Sequence, residues 1–465
     1  MNSSVHWRTR TAAAAAAALS LGVLAACSSS ATSSTGAAAS SAPAVASSAA
    51  ASGAASSSAG GTGTVSAASC GTKPGVAAAG SPINLGAIDT KQPGTDFSDI
   101  ENMTAAYFAC VNANGGINGH PIKYFPLTEQ TNPSQIASLA KQLVTSDHVV
   151  GMVGNSSIIE CSVDAAYWKS VGIEVLGAGI DPECYSTPNT ASVNMGPRYS
   201  SDGAVQYVLA QGANKIAFDQ SNVPGTAYIA AGPNALAKAK GAAIQDFTEN
   251  VPITSANAIA TKLVTAAGPS GAVVLNFTPP EALLILQAAQ KLNLENRVKY
   301  WACSTPCNTD FLATSLGPKW NNKLFVNAEL TPLDGNTSPT AQRFDAVLKQ
   351  YGSSVSGGVG SFSEMGFTIG EIATHALEGV TGPYTLASVS AAFKAVSNYS
   401  TGMLCQGYTY GSYSAHIPNN MDYTVTPDNG KFVQASAGGQ CTLISADDPQ
   451  IAAYRAEAGT APLAG

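Results

Sequence analysis

Short apolar runs alternate with segments of helical periodicity in this chain, and this alternation constrains the fold more than any other feature. The run Ile83–Ile88 (INLGAI) predicts a buried strand. Apolar residues then recur at helical spacing over 100–111, and a further helix pattern begins at Pro133. Two more apolar runs, 149–154 and 173–178, follow with a helix pattern between them. Strands that alternate with helices predict a parallel, doubly wound sheet.

The alternation starts again after residue 198, which predicts a second α/β unit. Further strands are predicted at 215–219, 272–277, 298–303 and 323–330. Later helix patterns and a strand-like segment must be shared between the two units, because 465 residues are too many for one core. We therefore predict an α/β fold of two Rossmann-like lobes joined by a hinge, with 81–197 plus 331–400 as lobe 1, 198–330 plus 401–447 as lobe 2, and a C-terminal tail at 448–465.

Three asparagines and three glycines lie between Asn112 and Gly119, where one predicted helix ends and the next strand must begin. Gly115 and Gly116 supply the left-handed conformation that ends a helix. Asn118 and the glycine after it favour a tight turn. Because an apolar run follows at once, this stretch is predicted to be a helix-to-strand corner.

The first 27 residues have the pattern of an export signal. Arg8 and Arg10 give a basic start, an apolar run covers 12–26, and small residues precede Cys27 in the stretch LAAC. Small residues before a cysteine, with leucine three positions before it, resemble the lipobox of bacterial lipoproteins. This resemblance implies a signal peptide at 1–26 and a lipid on the thiol of Cys27. An ordinary signal peptide with an incidental cysteine is the alternative.

The segment after the signal contains almost nothing that could build a core. Residues 28–69 include 39 Ser, Ala, Gly or Thr among 42 positions, and none is charged. Such a segment cannot bury enough apolar surface to offset the entropy lost on ordering. We therefore predict a lipid anchor and disordered tether at 27–69. This arrangement would hold the folded part at the outer face of the cytoplasmic membrane.

Eight cysteines remain when Cys27 is set aside, and an even number in an exported chain favours disulfides. Sequence does not fix their connectivity, so we predict pairing of neighbours along the chain, most strongly at 161/184 and 303/307. A metal site at 303–307 (CSTPC) is the rival, but two thiols with no nearby histidine are a poor ligand set. The disulfide candidates are Cys70, Cys110, Cys161, Cys184, Cys303, Cys307, Cys405 and Cys441.

The order of these segments resembles the type I periplasmic-binding-protein superfamily. The resemblance is carried by a strand, a glycine-containing loop, a helix that ends in NANGGINGHPIKY (112–124) and the run VVGMVGNSS (149–157). It extends from about Ile83 to Val433 and is strongest for the leucine/isoleucine/valine-binding branch of ABC importers. It implies two lobes joined by three crossovers, a ligand between them, and a membrane permease as partner.

The ends of the predicted strands indicate where a ligand would bind, because open parallel sheets bind ligands beyond the C-terminal ends of their strands. In the first lobe these ends supply Thr95, Phe97, Asn155, Ser156, Ser157, Gly179, Ile180 and Asp181. The second lobe and a later helix supply Tyr228, Phe277, Thr278, Ser304, Thr305 and Phe362.

The serine loop, Asn155–Ser157, is the sharpest of these candidates. Hydroxyls and free backbone N–H groups at the start of a helix form an anion site. The resemblance implies that this loop holds a ligand carboxylate together with the loop at Gly179 and Ile180. Simple capping of the helix by Asn or Ser is the alternative interpretation.

The second lobe departs from the amino-acid binders of this branch. Those proteins place an acidic residue in the loop that here contains Ser304, Thr305 and no carboxylate. Asp96, Asp181 or Glu364 would have to replace it, and a buried carboxylate is costly without its cation. Branched-chain amino acids are therefore doubtful as ligands. Apolar walls are expected from Phe97, Tyr228, Phe277 and Phe362.

Catalytic motifs are missing from the sequence, which has no G-x-S-x-G, H-E-x-x-H or P-loop. A net charge of −7 argues against nucleic acid as partner. We predict a monomeric, exported, lipid-anchored solute-binding protein that has no cofactor or metal and delivers an amino acid or similar small polar solute to an ABC permease. A ligand-sensing domain that signals to a membrane partner is the main alternative, and a hydrolase on the same scaffold is the other.

Overall fold

A computed structural model describes residues 70–436 and 438–459 of the chain. The predicted signal peptide at 1–26, the lipid attachment at Cys27, the rest of the tether and the last six residues lie outside the described residues. Two α/β lobes, each built on its own sheet, make up the described chain and confirm the predicted fold class. In this part of the chain no helix combines the length and the apolar character needed to cross a bilayer.

The first lobe is built on a mainly parallel sheet. Its strands are β1 (Ile83–Gln92), β2 (Thr95–Asp96), β3 (Ile122–Glu129), β4 (Met152–Val153), β5 (Val175–Gly177) and β6 (Thr190–Ser192). Strand β1 lies between β3 and β4, β5 and β6 follow, and β2 forms a short antiparallel hairpin at the end of β1. The helices between these strands are α1 (Asp99–Ala113), α2 (Pro133–Thr145) and α3 (Glu160–Val171).

The second lobe repeats this arrangement with a larger mixed sheet. Five strands are parallel: β7 (Lys215–Ser221), β8 (Ala243–Glu249), β9 (Ala272–Asn276), β10 (Tyr300–Cys303) and β11 (Leu324–Ala328). Their helices are α4 (Gly196–Ala210), α5 (Ala231–Ala239), α6 (Ala256–Ala267), α7 (Pro279–Lys291) and α8 (Asp310–Leu316).

The chain crosses between the lobes three times. It passes to the second lobe after β6 and returns after β11, where three helices pack on the first lobe: α9 (Pro339–Tyr351), α10 (Ser361–Glu378) and α11 (Leu386–Ala395). It then crosses again to complete the second sheet with the antiparallel strands β12 (Met421–Asp428), β13 (Lys431–Gln434) and β14 (Thr442–Leu443). The last described helix is α12 (Pro449–Ala458).

The predicted helix-to-strand corner is confirmed. Helix α1 ends at Ala113, and both Gly115 and Gly116 have positive φ angles, 105° and 63°. The side chain of Asn112 fastens the turn to the next strand, because it accepts from the backbone N–H of Ile122 at 2.7 Å and donates to the carbonyl of the same residue at 2.8 Å.

Several elements were not predicted from the sequence, among them β8, α6, α8 and α11, and α12 forms where a C-terminal tail was predicted. Strand β8 lies at the edge of its sheet and has no buried residue, so it lacks the apolar run that marks the inner strands. Helix α12 buries only two of its residues, Ile451 and Tyr454, within the described chain. Both elements are therefore held by tertiary contacts more than by a strong local pattern.

Candidate ligand-binding site

A cavity of about 60 Å³ lies between the two lobes, where the strands of both parallel sheets end. We call it the inner cavity. A wider groove of about 430 Å³ adjoins it and shares Thr95, Thr278 and Phe362 with it. We call this groove the outer cleft. Because both lie at the C-terminal ends of the strands, the structure places the pocket where open parallel sheets bind ligands.

Seven of the predicted ligand residues line the inner cavity. Three come from strand ends of the first lobe, three from the second lobe, and one from α10: Thr95, Phe97, Ile180, Phe277, Thr278, Thr305 and Phe362. Phe97 and Phe362 pack edge to face with their ring centroids 5.4 Å apart and form one apolar wall. Ile100, Ile158 and Met365 extend the apolar surface. Most of this lining is apolar, so the inner cavity fits a solute with an apolar body.

The serine loop does not reach the inner cavity. The hydroxyl of Ser156 donates to the carboxyl of Glu101 at 2.6 Å, and the hydroxyl of Ser157 donates to Glu129 at 2.9 Å. Backbone N–H groups that follow the loop are also occupied: that of Ile158 donates to the hydroxyl of Thr90, and that of Glu160 donates to the hydroxyl of Ser157. The predicted anion site therefore has its donors turned towards the interior of the lobe.

The other predicted residues hold the loops around the pocket. Asp181 accepts from the backbone N–H and hydroxyl of Ser162, so its carboxylate is used within the first lobe. Gly179 packs closely against neighbouring side chains and leaves no room for a Cβ. The side chains of Asn155 and Ser304 are buried and have polar atoms without a hydrogen-bond partner. None of these four residues lines the inner cavity.

Hydrogen bonds across the pocket hold the lobes together. The hydroxyl of Tyr228, in the second lobe, donates to the carbonyl of Ile180, in the first, at 2.5 Å. At the mouth, the hydroxyl of Thr278 donates to the carbonyl of Gly94 at 3.1 Å. The backbone N–H of Asp310 also donates to the carbonyl of Val359 and adds to these contacts. The structure therefore shows the closed arrangement of the lobes.

The sequence interpretation missed one functional candidate, Glu329. This residue follows β11 in the second crossover, and it lines the inner cavity. Its Oε2 accepts from the backbone N–H of Met195, in the first crossover, at 2.7 Å. The prediction of a strand over 323–330 placed Glu329 inside that strand. An acidic residue at the end of an apolar run was the available signal.

The ionisable side chains that line the pocket are acidic. Burial raises the pKa of Glu329 to about 8, against the lowering effect of the bond from Met195. Three further carboxylates line the outer cleft: Asp96, Asp99 and Glu281. Among the described residues, no lysine, arginine or histidine lines either the inner cavity or the outer cleft.

All four disulfides join neighbours along the chain, as predicted: 70 with 110, 161 with 184, 303 with 307, and 405 with 441. The bridge from Cys161 to Cys184 connects α3, which follows the serine loop, to the turn after Asp181. The pair at 303 and 307 is therefore bridged, which removes the metal alternative for this loop.

Comparison with known proteins supports this arrangement. A family model described as periplasmic binding protein matches residues 82–431. A branched-chain amino acid ABC transporter protein from Thermus thermophilus, solved with bound valine, is 13% identical with a TM-score of 0.68, over 80% of this chain and 98% of that one. A fatty acid ABC transporter substrate-binding protein from Thermomonospora curvata is 15% identical with a TM-score of 0.65, over 82% and 96%.

A third similar structure is an ABC transporter solute-binding protein from R. palustris in complex with 4-hydroxybenzoate. It is 15% identical with a TM-score of 0.63, over 79% of this chain and 98% of that one. At these identities the likeness establishes the fold alone. No protein of curated function matches the sequence.

Proposed function

Because this chain belongs to the periplasmic binding proteins, the solute-binding components of ABC transporters, we propose that it captures one small organic solute in the inner cavity and presents it to a membrane permease. The solute docks between open lobes, and the lobes close over it. A solute that contacts both lobes binds the closed form more tightly and so shifts the population towards it. The closed form is then the state that the permease recognises.

One observation carries this proposal: the inner cavity is lined by side chains of both lobes and of a crossover. Ile180 and Phe97 contribute from the first lobe, Phe277 and Thr305 from the second, and Glu329 from the hinge. A pocket divided in this way exists only when the lobes are together. Closure of the lobes therefore completes the binding pocket.

The experiment is a thermal-shift screen of the folded domain with small amines, alcohols, carboxylates and amino acids, followed by small-angle scattering. A solute that binds the folded state raises the melting temperature by linkage. It should also reduce the radius of gyration, because the lobes close. A solute that stabilises the protein without compaction would contradict the closure mechanism.

Loss of one hydrogen bond between the lobes should weaken binding. The Tyr228→Phe change removes the donor to Ile180, and a hydrogen bond contributes about 0.5 to 1.5 kcal/mol. We expect about two- to tenfold weaker affinity for the solute found in the screen, measured by calorimetry. Tyr300→Phe is the matched control, because the Tyr300 hydroxyl donates to the carbonyl of Gln211 within one lobe. Equal losses in the two variants would contradict a role in closure.

The N-terminal sequence supports an exported protein that is tethered to the membrane. We propose that Cys27 carries the lipid and that 28–69 acts as a spacer, since its composition cannot form a core. Deletion of 28–69 should then leave the melting temperature and solute affinity of the folded domain unchanged. Calorimetry on the shortened and full chains checks this, and a large fall in melting temperature would show that the segment packs on the domain.

A further inference from the structure

A buried carboxyl group with one unsatisfied oxygen lies on the inner cavity. Glu329 is 1% exposed and, in the described chain, is the one ionisable residue that lines this cavity. Its Oε2 accepts from the backbone N–H of Met195, and its Oε1 has no hydrogen-bond partner. A buried polar atom without a partner is unfavourable. A donor group on the solute would supply the missing partner.

The surroundings of Glu329 favour a donor that carries a positive charge. The outer cleft, which adjoins the inner cavity, is lined by the carboxylates of Asp96, Asp99 and Glu281. Lys91 lies near these carboxylates, but its ammonium group is already in an ion pair with Asp96 at 3.0 Å. A cleft lined by one sign of charge attracts ligands of the opposite sign.

A carboxylate on the solute, in contrast, finds both hydroxyls of the serine loop already bonded. The hydroxyls of Ser156 and Ser157 are bonded to the carboxyls of Glu101 and Glu129. Among the described residues, no lysine, arginine or histidine lines the inner cavity or the outer cleft, so the pocket is matched to the amino end of a solute and not to a carboxylate end.

We propose that the inner cavity takes a small organic amine, with an apolar body and no carboxylate, and that Glu329 accepts a hydrogen bond from its ammonium group. The inference deepens the proposed function and rests on it. Phe97, Phe277 and Phe362 would contact the apolar body. The ammonium group would occupy the hinge side of the cavity, where Glu329 also holds the first crossover.

The test uses solutes that share a body and differ at the polar end. One series is phenylethylamine, phenylethanol, phenylpropanoate and phenylalanine, and an aliphatic series is isopentylamine, isopentanol, isocaproate and leucine. Calorimetry should give the tightest binding for the amine of at least one series. An advantage of about ten- to a hundredfold over the alcohol is expected for a hydrogen bond to a charged group.

The Glu329→Gln change tests the assigned residue. Glutamine keeps the shape and an acceptor for Met195, but it removes the charge, so the preference for amine over alcohol should vanish while alcohol affinity stays the same. Glu329→Asp should keep part of the preference. Asp164→Asn is the matched control, because Asp164 is also a buried carboxyl with an unpartnered oxygen but lies on α3, away from the cavity.

Affinity for the amine should also depend on pH. Burial raises the pKa of Glu329 to about 8, so the empty site holds a proton below that pH and must release it when an ammonium binds. Affinity should therefore rise by about tenfold per pH unit below pH 8 and then level off. The titratable groups that interact with Glu329 are Asp422 on β12, Glu364 on α10 and Tyr185. The pH dependence of amine affinity that remains in the Glu329→Gln variant measures the contribution of these three groups.

The outcomes separate this inference from the proposed function. If carboxylates or neutral solutes bind with lobe closure and amines do not, the amine assignment is overturned and the transport role stands. If amines bind equally to wild type and Glu329→Gln, the residue assignment is overturned. If no solute of any class binds, the proposed function is contradicted, and the amine assignment is contradicted with it.

Discussion

Replacing Cys27 with serine is expected to move the protein from the membrane fraction to the soluble fraction. The lipobox-like stretch LAAC predicts that the Cys27 thiol carries the lipid. Among the described residues no helix could replace that anchor. Each buried methylene of a lipid chain contributes about 0.8 kcal/mol to membrane binding, so loss of the lipid removes nearly all of it.

The measurement is fractionation of cells that express the full chain, with detection by an antibody to the folded domain. Ser28→Ala is the matched control, because it changes the next residue and leaves the thiol in place. It should remain in the membrane fraction. A Cys27→Ser protein that lacks residues 1–26 and still sediments with membranes would refute lipid attachment at this residue. Solute affinity of the domain should be the same in both variants.

Local chemistry explains why much of the fold could be predicted. The corner after α1 needs left-handed conformations, which Gly115 and Gly116 provide, and the sequence shows both. The inner strands are buried on both sides, so they appear as short apolar runs. The positions of several pocket residues then follow, because strand ends in a parallel sheet share one edge.

The serine loop shows where such reasoning stops. The sequence identifies Ser156 and Ser157 as donors, but it does not identify their acceptors. Glu101 is 55 positions away from Ser156 on α1, and Glu129 is 28 positions away from Ser157 at the end of β3. No local pattern marks either residue as a partner of the serine loop. Only the folded arrangement shows that these carboxyl groups occupy the hydroxyls.

Glu329 was missed for a related reason. The groups around it come from distant parts of the chain. Met195, which donates to its carboxyl, is 134 positions earlier, and residues of helix α10 line the same cavity. No local pattern marks a residue whose role depends on three crossovers that meet in space. The same limit applies to α12, whose attachment to the second lobe depends on a pair of residues 250 positions apart.

That pair, Arg198 and Asp448, should contribute strongly to stability. Nε of Arg198 donates to Oδ2 of Asp448 at 2.7 Å, and a second nitrogen donates to Oδ1 at 2.9 Å. Asp448 is fully buried and also caps α12 by accepting from the N–H of Gln450. The buried carboxyl of Asp202 lies nearby, and burial raises its pKa well above the usual range. The Arg198 guanidinium is therefore the cation that balances the buried Asp448 carboxylate.

The Arg198→Met change keeps the apolar stem and removes the cation. Breaking a buried ion pair on one side costs about 3 to 5 kcal/mol, because the remaining charge stays buried. We expect a loss of this size in the free energy of unfolding, measured by urea denaturation at pH 8. Lys240→Met is the matched control: Lys240 forms an ion pair at 3.8 Å with Asp447, the residue before Asp448, and its side chain is 62% exposed. Its removal should cost less than about 1 kcal/mol.

The difference between Arg198→Met and wild type should shrink as the pH falls, because protonation neutralises a buried carboxyl group that has lost its cation. The deficit should therefore be smaller at pH 5 than at pH 8. Adding Asp448→Asn to Arg198→Met should recover part of the loss at pH 8, since the remaining side chain is then neutral. A small and pH-independent effect of Arg198→Met would mean that α12 is held by the packing of Ile451 and Tyr454 instead of by the ion pair.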